Sequence, residues 1–504
     1  MISTFCSIAL IASAFQQSFA ATTHADSSIN PNWKMEIPQP VYPNKEYVDL
    51  YNKTWEIAAG RVRKGPEGLP ASPYMDENCY EDQIWIWDTC FMVLFAKYAP
   101  KSFPGIESMD NLYKPIMGKE KTPLKIHLVD NPPLFAWVER EYYQFTGDRN
   151  RIDDILNKKQ YLQKHFDWFS KAKKGERFEC SPQNIHMNAI GEDGFTWTGG
   201  ASGMDNTPRG RDSGGYDKVM WVDAISQQAL SALCIANLEQ SLGKTKEAKE
   251  WMGKYENLKK KINSLYWDPK DEFYYDVTIS DQQPCRIKTI ASYWPLLAKV
   301  ATPKQAKSMV KHLMNPKEFG GDFPTPTLAR SDKDYNDKTG DYWRGGIWLP
   351  TTYMTIKAIE EYGYHDEADA IAEKMILQQL DTYKNIKPQT IWECYSPSSN
   401  EPSTEHGRRA RPEFCGWSAL GPISLFIENV LGFKHISAAN NEVQWRLKKD
   451  KGEHGIKNLH FGQTTTDIVF DGKNTVNVKS NKPYSLVING KKYTVKQGNT
   501  KISL

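Results

Sequence analysis

Between Lys45 and Leu431 the apolar residues return at spacings of three and four, block after block. Tyr47, Leu50, Tyr51, Trp55 and Ala58 set the pattern in the first block. The same period predicts helices over 84–98, 135–145, 152–172, 216–240, 244–265, 287–300, 303–313, 347–362, 365–380 and 417–431. Pro132 and Pro133 suit the opening turn of the third. Only Asp271–Asp276 reads as a brief strand or turn. Helices without strand partners must bury their apolar stripes against one another. The fold expected is therefore a large all-α unit, and about twelve helices paired in a closed arrangement would satisfy every stripe.

Three interruptions are too long and too polar to be idle connections: 176–216, 319–346 and 387–412. The ends of the chain have another texture. Residues 1–20 carry no charged side chain, hold the apolar run Ile8–Phe15 and end in Ser18-Phe19-Ala20, which reads as a secretory signal peptide. Residues 21–44 are polar and Pro-rich, an extended lead-in to a unit placed at 45–438. After about Asn440 the period becomes two, in Thr466–Phe470, Thr475–Val478 and Tyr484–Ile488, and Asn489-Gly490 is a hairpin signal. Residues 439–504 are assigned to a small C-terminal β module, read as a structural appendage.

Composition excludes some functions. A net charge of +3 over 504 residues leaves no electrostatic footprint for nucleic acid, and no stretch has transmembrane length. The chain is expected to be exported, periplasmic or secreted. Aromatic residues reach 12%, which suits stacking on sugar rings and suits a large core equally. Seven of the eight Cys follow the leader, none at zinc spacing, so buried thiols with one disulfide at most are expected. The acidic loops at Asp76-Glu77 and Asp332-Lys333-Asp334 are too generic to claim calcium; no metal is assigned and no cofactor is required.

The loops carry the chemistry. Trp85-Ile86-Trp87-Asp88 places a carboxylate behind two indoles, although an acid there also suits a helix N-terminus. Asn131 stands before Pro132-Pro133. Asp205 and Asn206 lie among Gly199, Gly200 and Gly203, where missing side chains let a ligand reach the backbone; alone, such a pair is more often turn chemistry. Tyr342-Trp343-Arg344 leads to Trp348, with Arg344 able to bind a hydroxyl or hold a carboxylate. Glu393 sits between Trp392 and Tyr395. No nucleophile elbow, zinc-protease helix, phosphate loop or dinucleotide fingerprint competes. Carboxylates and Trp on loops around helices are the equipment of glycoside cleavage.

From Glu81 to Leu431 these segments resemble, in order, the motifs of the (α/α)6-barrel glycosidases of glycoside hydrolase family 63, the mannosylglycerate hydrolases grouped with them, and the trehalases. Trp87-Asp88-Thr89-Cys90-Phe91 is similar to their Trp-Asp-x-x-Phe, and Asn131-Pro132-Pro133 to Gln-Pro-Pro. Ser202-Gly203-Met204-Asp205-Asn206-Thr207-Pro208 is similar to the block that supplies the general acid. Tyr342–Trp348 resembles Tyr-Trp-Arg-Gly-Pro-x-Trp, and Glu393-Cys394-Tyr395 with Pro397 resembles the segment carrying the general base. Phe414–Ala419, with Trp417, is similar to the Phe-x-Trp-Thr-Ala that follows. The resemblance implies an (α/α)6 barrel and an inverting exo-acting α-glycoside hydrolase. Asp205 would be its acid and Glu393 its base, their carboxyls about 6.5–9.5 Å apart.

It also implies apolar walls from Trp85, Trp343, Trp348 and Trp417, with Asp88, Asn131 and Arg344 reading hydroxyls; Trp87, Asn206, Tyr342 and Trp392 are further substrate-binding candidates. The expected partner is a small carbohydrate, short α-linked oligosaccharides or glycosides with glucose at the cleaved position. Three departures stand in the motifs: Ala201 for a Glu, Gly346 for the Pro, and Asn131 for the Gln. They motivate the alternative of another sugar, such as galactose, mannose or rhamnose; a non-catalytic sugar-binding protein is the remaining alternative. Glu405, Glu413, Arg408, Arg409 and Arg411 lie near the base and are candidates to shape a leaving-group site.

Overall fold

A computed structural model describes residues 28–77, 80 and 82–504. The expected leader and residues 21–27 of the lead-in lie outside the described residues. Six helical segments contact one another in a closed circuit: Ile86–Ala96, Phe135–Thr146, Val222–Ser241, Ile290–Leu297, Leu349–Glu360 and Leu420–Val430, the last returning to the first. They are buried nearly all round, as the middle of a large protein requires. Lys45–Ala59, Asp110–Met117, Tyr161–Phe169, Thr245–Leu265, Pro303–Met314 and His365–Asn385 lie outside them and keep a one-sided apolar stripe. Local chemistry fixes the ends. Asn44 accepts from the Glu46 N–H, Thr302 and Gln305 form a reciprocal capping box, and Gly147 ends its helix left-handed at φ 68°.

Two predicted helices are broken and a third is shortened at its start. The 152–172 block divides into Arg149–Asp153, a π turn Asp154–Lys158 and Tyr161–Phe169, because Gln160 takes φ 56° between them. In the 287–300 block Pro295 has no N–H to give, and only the short Ile290–Tyr293 and Trp294–Leu297 turns form. The 216–240 block starts late, at Val222, whose N–H is capped from a distance by Asp276 Oδ1 at 2.9 Å. The helix Asp110–Met117, with Pro115 inside it, was not expected.

The β module is two sheets. Five antiparallel strands run in the order Gln39–Val41, Glu453–Phe461, Thr464–Asp471, Thr475–Ser480 and Gly498–Ser503. The other four are Phe433–Ser437, Glu442–Trp445, Tyr484–Ile488 and Lys491–Val495, with one parallel pair in the middle. Asn489 (φ 47°) and Gly490 (φ 84°) make the tight turn expected of them. One strand of the module therefore comes from the lead-in, at the far end of the sequence. Trp445 binds the module to the helices by donating its indole N–H to Leu431 O at 2.7 Å. No helix among the described residues is long and apolar enough to cross a membrane. Cys90, Cys180, Cys234, Cys285, Cys394 and Cys415 are buried free thiols; Cys6 and Cys79 lie outside the described residues.

Candidate active site

A cavity of about 370 Å³ opens where the segments preceding five of the six inner helices converge. It is lined by Trp85, Trp87, Asp88, Asn131, Asp205, Tyr342, Trp343, Trp348, Glu393 and Trp417 among the residues singled out from the sequence. Asn206, Arg344 and Trp392 stand behind the lining. Of the three departures, Asn131 and Ala201 are on the wall and Gly346 is not; its N–H donates to Tyr342 O at 3.1 Å and braces the turn from outside.

The glycine-rich loop is built to present Asp205. Thr198 caps a single helical turn, Gly199–Ser202, and Gly203 closes it at φ 81°. A Cβ on Gly199 would meet Asp205 O at 2.0 Å, and one on Gly203 would meet the Trp87 ring at 3.0 Å. The loop is thus folded onto its own carbonyl and pressed against an indole, which only glycine allows. Below it, Arg209 is buried and holds Asp223 and Asp276, each through two N–H groups, while its guanidinium lies 4.0 Å from the Trp221 ring centroid. That cluster anchors the end of the loop to the start of helix Val222–Ser241.

The two principal carboxyls have opposite settings. Glu393 is buried and receives three donors: Tyr342 Oη at 2.8 Å and Arg411 Nη1 at 2.9 Å on Oε1, and the Arg411 N–H at 3.2 Å on Oε2. Its own backbone is fastened by Trp417 Nε1, which donates to Glu393 O at 2.7 Å. Asp205 lines the cavity and is exposed to its space. Loss of hydration there, then the negative charges of Glu393 and Glu405, push its pKa up to about 7 against the opposing pull of Arg411. Asp88, buried beside both, is raised well above the carboxylate range by burial first and by Glu393 and Asp205 after it.

Asn206 joins the two halves of the site. Its Nδ2 donates to Asp341 O at 2.9 Å and its Oδ1 accepts from the Trp343 N–H at 2.8 Å. Between those contacts Asp341 and Tyr342 sit at φ 33° and 67°, a left-handed pair that costs about 1–3 kcal/mol per residue unless its surroundings enforce it. The strained turn aims the Tyr342 hydroxyl at Glu393. Burial keeps that phenol protonated, so it donates. Trp343 and Trp348 stack at 4.0 Å, and Trp417 lies against Trp348 at 5.5 Å. Asn131 donates to Ala201 O at 3.0 Å, and its Oδ1 is buried at the wall with no protein donor among the described residues.

Sequence reasoning missed Tyr80, His127, Gln183, His186 and Thr198 on the cavity wall. Tyr80, Trp85 and His127 stack in a row at 5.6 and 4.7 Å. Gln183 and His186 come from the long 176–216 loop, whose length was the available signal. Of the group following Glu393, Glu405 and Arg411 reach the cavity; Glu413 instead meets Arg61 at 3.3 Å, and Arg408 and Arg409 are exposed.

Comparison with known proteins agrees with this geometry. The chain is 28% identical over 485 residues to an uncharacterized protein of Borreliella burgdorferi, covering 90% of this chain and 95% of that one. It is 26% identical over 302 residues to a mannosyl-oligosaccharide glucosidase of Saccharomyces cerevisiae, covering 54% of this chain but only 34% of the yeast protein. Among solved structures it shares its fold with a sialidase (TM-score 0.68, 14% identity, 95% of this chain and 42% of that one). It shares it also with a GH63 mannosylglycerate hydrolase from Thermus thermophilus (TM-score 0.55, 16% identity, 74% and 99%). Residues 106–412, more than half the chain and including Asp205 and Glu393, match the family described as the mannosylglycerate hydrolase MGH1-like glycoside hydrolase domain. The protein belongs to that family and is a glycoside hydrolase.

Proposed function

We propose that the protein is an inverting, exo-acting α-glycosidase on an (α/α)6 barrel, with Asp205 as general acid and Glu393 as general base. The observation that carries this is the divergence of the two carboxyls within one cavity. Glu393 accepts hydrogen bonds from three donors, while Asp205 is pushed up to about 7 and keeps its proton up to neutral pH. A carboxyl that keeps its proton, beside one that only accepts hydrogen bonds, divides naturally into acid and base. Asp205 protonates the departing oxygen; Glu393 draws a proton from a water that attacks the anomeric carbon from the opposite face. The stacked Trp343 and Trp348 offer an apolar face to the sugar, and Asp88 and Asn131 meet its hydroxyls. The closed circuit of six inner helices, with six more outside, supports the barrel.

Glucose is the sugar we assign, on short α-linked oligosaccharides or glycosides. Ala201 and Asn131 on the wall favour, as the second reading, an α-glycoside of another hexose or of rhamnose. Proton NMR of the first-formed anomer, run on a panel of α-glycosides, tests sugar and stereochemistry together; a retained anomer sinks the inverting assignment. Asp205→Asn and Glu393→Gln should each lower kcat about 10²–10⁴-fold, with circular dichroism unchanged. Near-normal turnover in either would remove that residue from its role. Export is proposed from the charge-free apolar leader, and is tested by finding Ala21 at the N-terminus of protein recovered outside the cytoplasm.

A further inference from the structure

Acid and base leave one carboxyl of the cavity without a task. Glu405 lies on a short hairpin, Thr404–Glu405 paired with Arg408–Arg409, whose turn residues His406 and Gly407 have φ of 49° and 78°. A two-residue turn with both φ positive fixes the register of such a hairpin. Glu405 is opposite Arg408, half-buried and facing the cavity, while the rest of the tip is exposed. Ser403 and Thr404 fasten the base of the hairpin, through Ser403 Oγ to Thr339 O at 2.6 Å and Thr404 Oγ1 to Thr339 Oγ1 at 2.8 Å. The carboxyl is therefore held on a fixed element at the outer part of the site, beyond the deeply buried Asp88 and Glu393. In an exo-acting enzyme the departing group occupies that outer part.

The cations lining the cavity are already engaged. Arg411 gives both a guanidinium N–H and its backbone N–H to Glu393. No lysine among the described residues is on the wall. His127 is held neutral by burial, its ring engaged with Gln83 and Gln183. His186 has its protonation favoured by Asp130, and that carboxylate balances it. A carboxylate on the departing group would find Glu405 and Glu393 near it and, among the described residues, no uncommitted cation to meet it. A hydroxyl would find Glu405 as an acceptor.

We propose that Glu405 sets leaving-group specificity, selecting neutral, hydroxyl-rich groups (a second sugar or a polyol) and rejecting those that carry a carboxylate. This rests on the hydrolytic reading of the same cavity. It separates the chain by charge from an enzyme acting on a glycerate conjugate. Like charges brought together in an enclosed, water-poor site repel strongly, and specificity of this kind comes from the repulsive contact as much as from the attractive one.

The test uses matched conjugates of one sugar to glycerol and to glycerate, which differ by CH2OH against a carboxylate. The sugars span a glucose, mannose, galactose and rhamnose panel. For the wild-type chain kcat/KM should favour the glycerol member by about tenfold or more. Glu405→Gln should shrink that ratio and Glu405→Arg should invert it. A merely structural role for the hairpin would lower both members alike and leave the ratio unmoved. Equal or better turnover of the glycerate member by the wild type, or a ratio unmoved in both variants, overturns the proposal. Should no conjugate be cleaved, the hydrolytic reading fails separately, and dissociation constants on Asp205→Asn protein decide this one. Tighter binding of the glycerol member upholds it; equal, reversed or absent binding overturns it.

Discussion

At the scale of single residues the site is governed by who donates to whom. Asn206 bridges the acid's loop and the turn that carries Tyr342, and both ends of its amide are used in doing so. It is read here as a positioning residue for the strained Asp341–Tyr342 pair. Asn206→Ala should lower kcat about tenfold through a misaimed Tyr342, with KM little changed; a rise in KM alone would point instead to direct substrate contact. Asp205 supplies a pH signature. In the proposed role its acid form is the active one, and with a pKa of about 7 that form is lost as pH rises. The profile of kcat/KM should therefore show a basic limb near pH 7, falling about tenfold per unit above it. The limb should be missing from the residual activity of Asp205→Asn. A limb that persists unshifted there would assign the ionisation to another group.

At the scale of elements, what matters is how a loop of 41 residues, 176–216, is made rigid enough to hold an acid. Its end is nailed down by Arg209, buried between Asp223, Asp276 and the Trp221 ring. Removing one member of a buried charge cluster leaves its partners unpaired, at a cost of about 3–5 kcal/mol. Arg209→Met should show that loss in urea unfolding together with reduced kcat. A stable variant with full activity would show that the loop holds itself. The sequence signalled the loop's importance through its length and glycines. It gave no sign of the anchor, because Asp276 is 67 residues from Arg209 and only the tertiary packing brings it to the Arg209–Asp223 pair.

At the scale of the whole molecule, the strand Gln39–Val41 belongs to a sheet whose other members begin at Glu453. The ends of the chain thus close over the helical unit, and Phe433 and Trp445 stack at 4.8 Å beneath its last inner helix. Deleting residues 433–504 should expose that face and strip the lead-in strand of its partner. The truncated chain is expected to be insoluble or to melt well below the full protein in a circular dichroism scan. A soluble, active truncation of unchanged melting temperature would make the module dispensable. Calorimetry of the full chain should show one cooperative transition, since the two parts share an interface through both termini.

What the sequence determined by itself was local and periodic. The 3.6-residue period fixed most helices, since an apolar stripe has no other stable use, and Asn489-Gly490 fixed a turn that few other residues allow. The acid loop could be read because Gly199 and Gly203 are needed where the backbone doubles onto Asp205 and Trp87. Tertiary structure decided the rest. Gln160 and Pro295 broke helices that periodicity alone would have continued. Residues 85, 205, 342 and 393 share a cavity only because inner helices that are distant in sequence close a ring. Asn206 turned from a neighbour of the acid into a clamp on the base's partner, and Glu405 became a wall residue by the register of a four-residue ladder. Whether a carboxyl is acid, base or gatekeeper depends on burial and on nearby charge, and those are set by distance in space rather than along the chain.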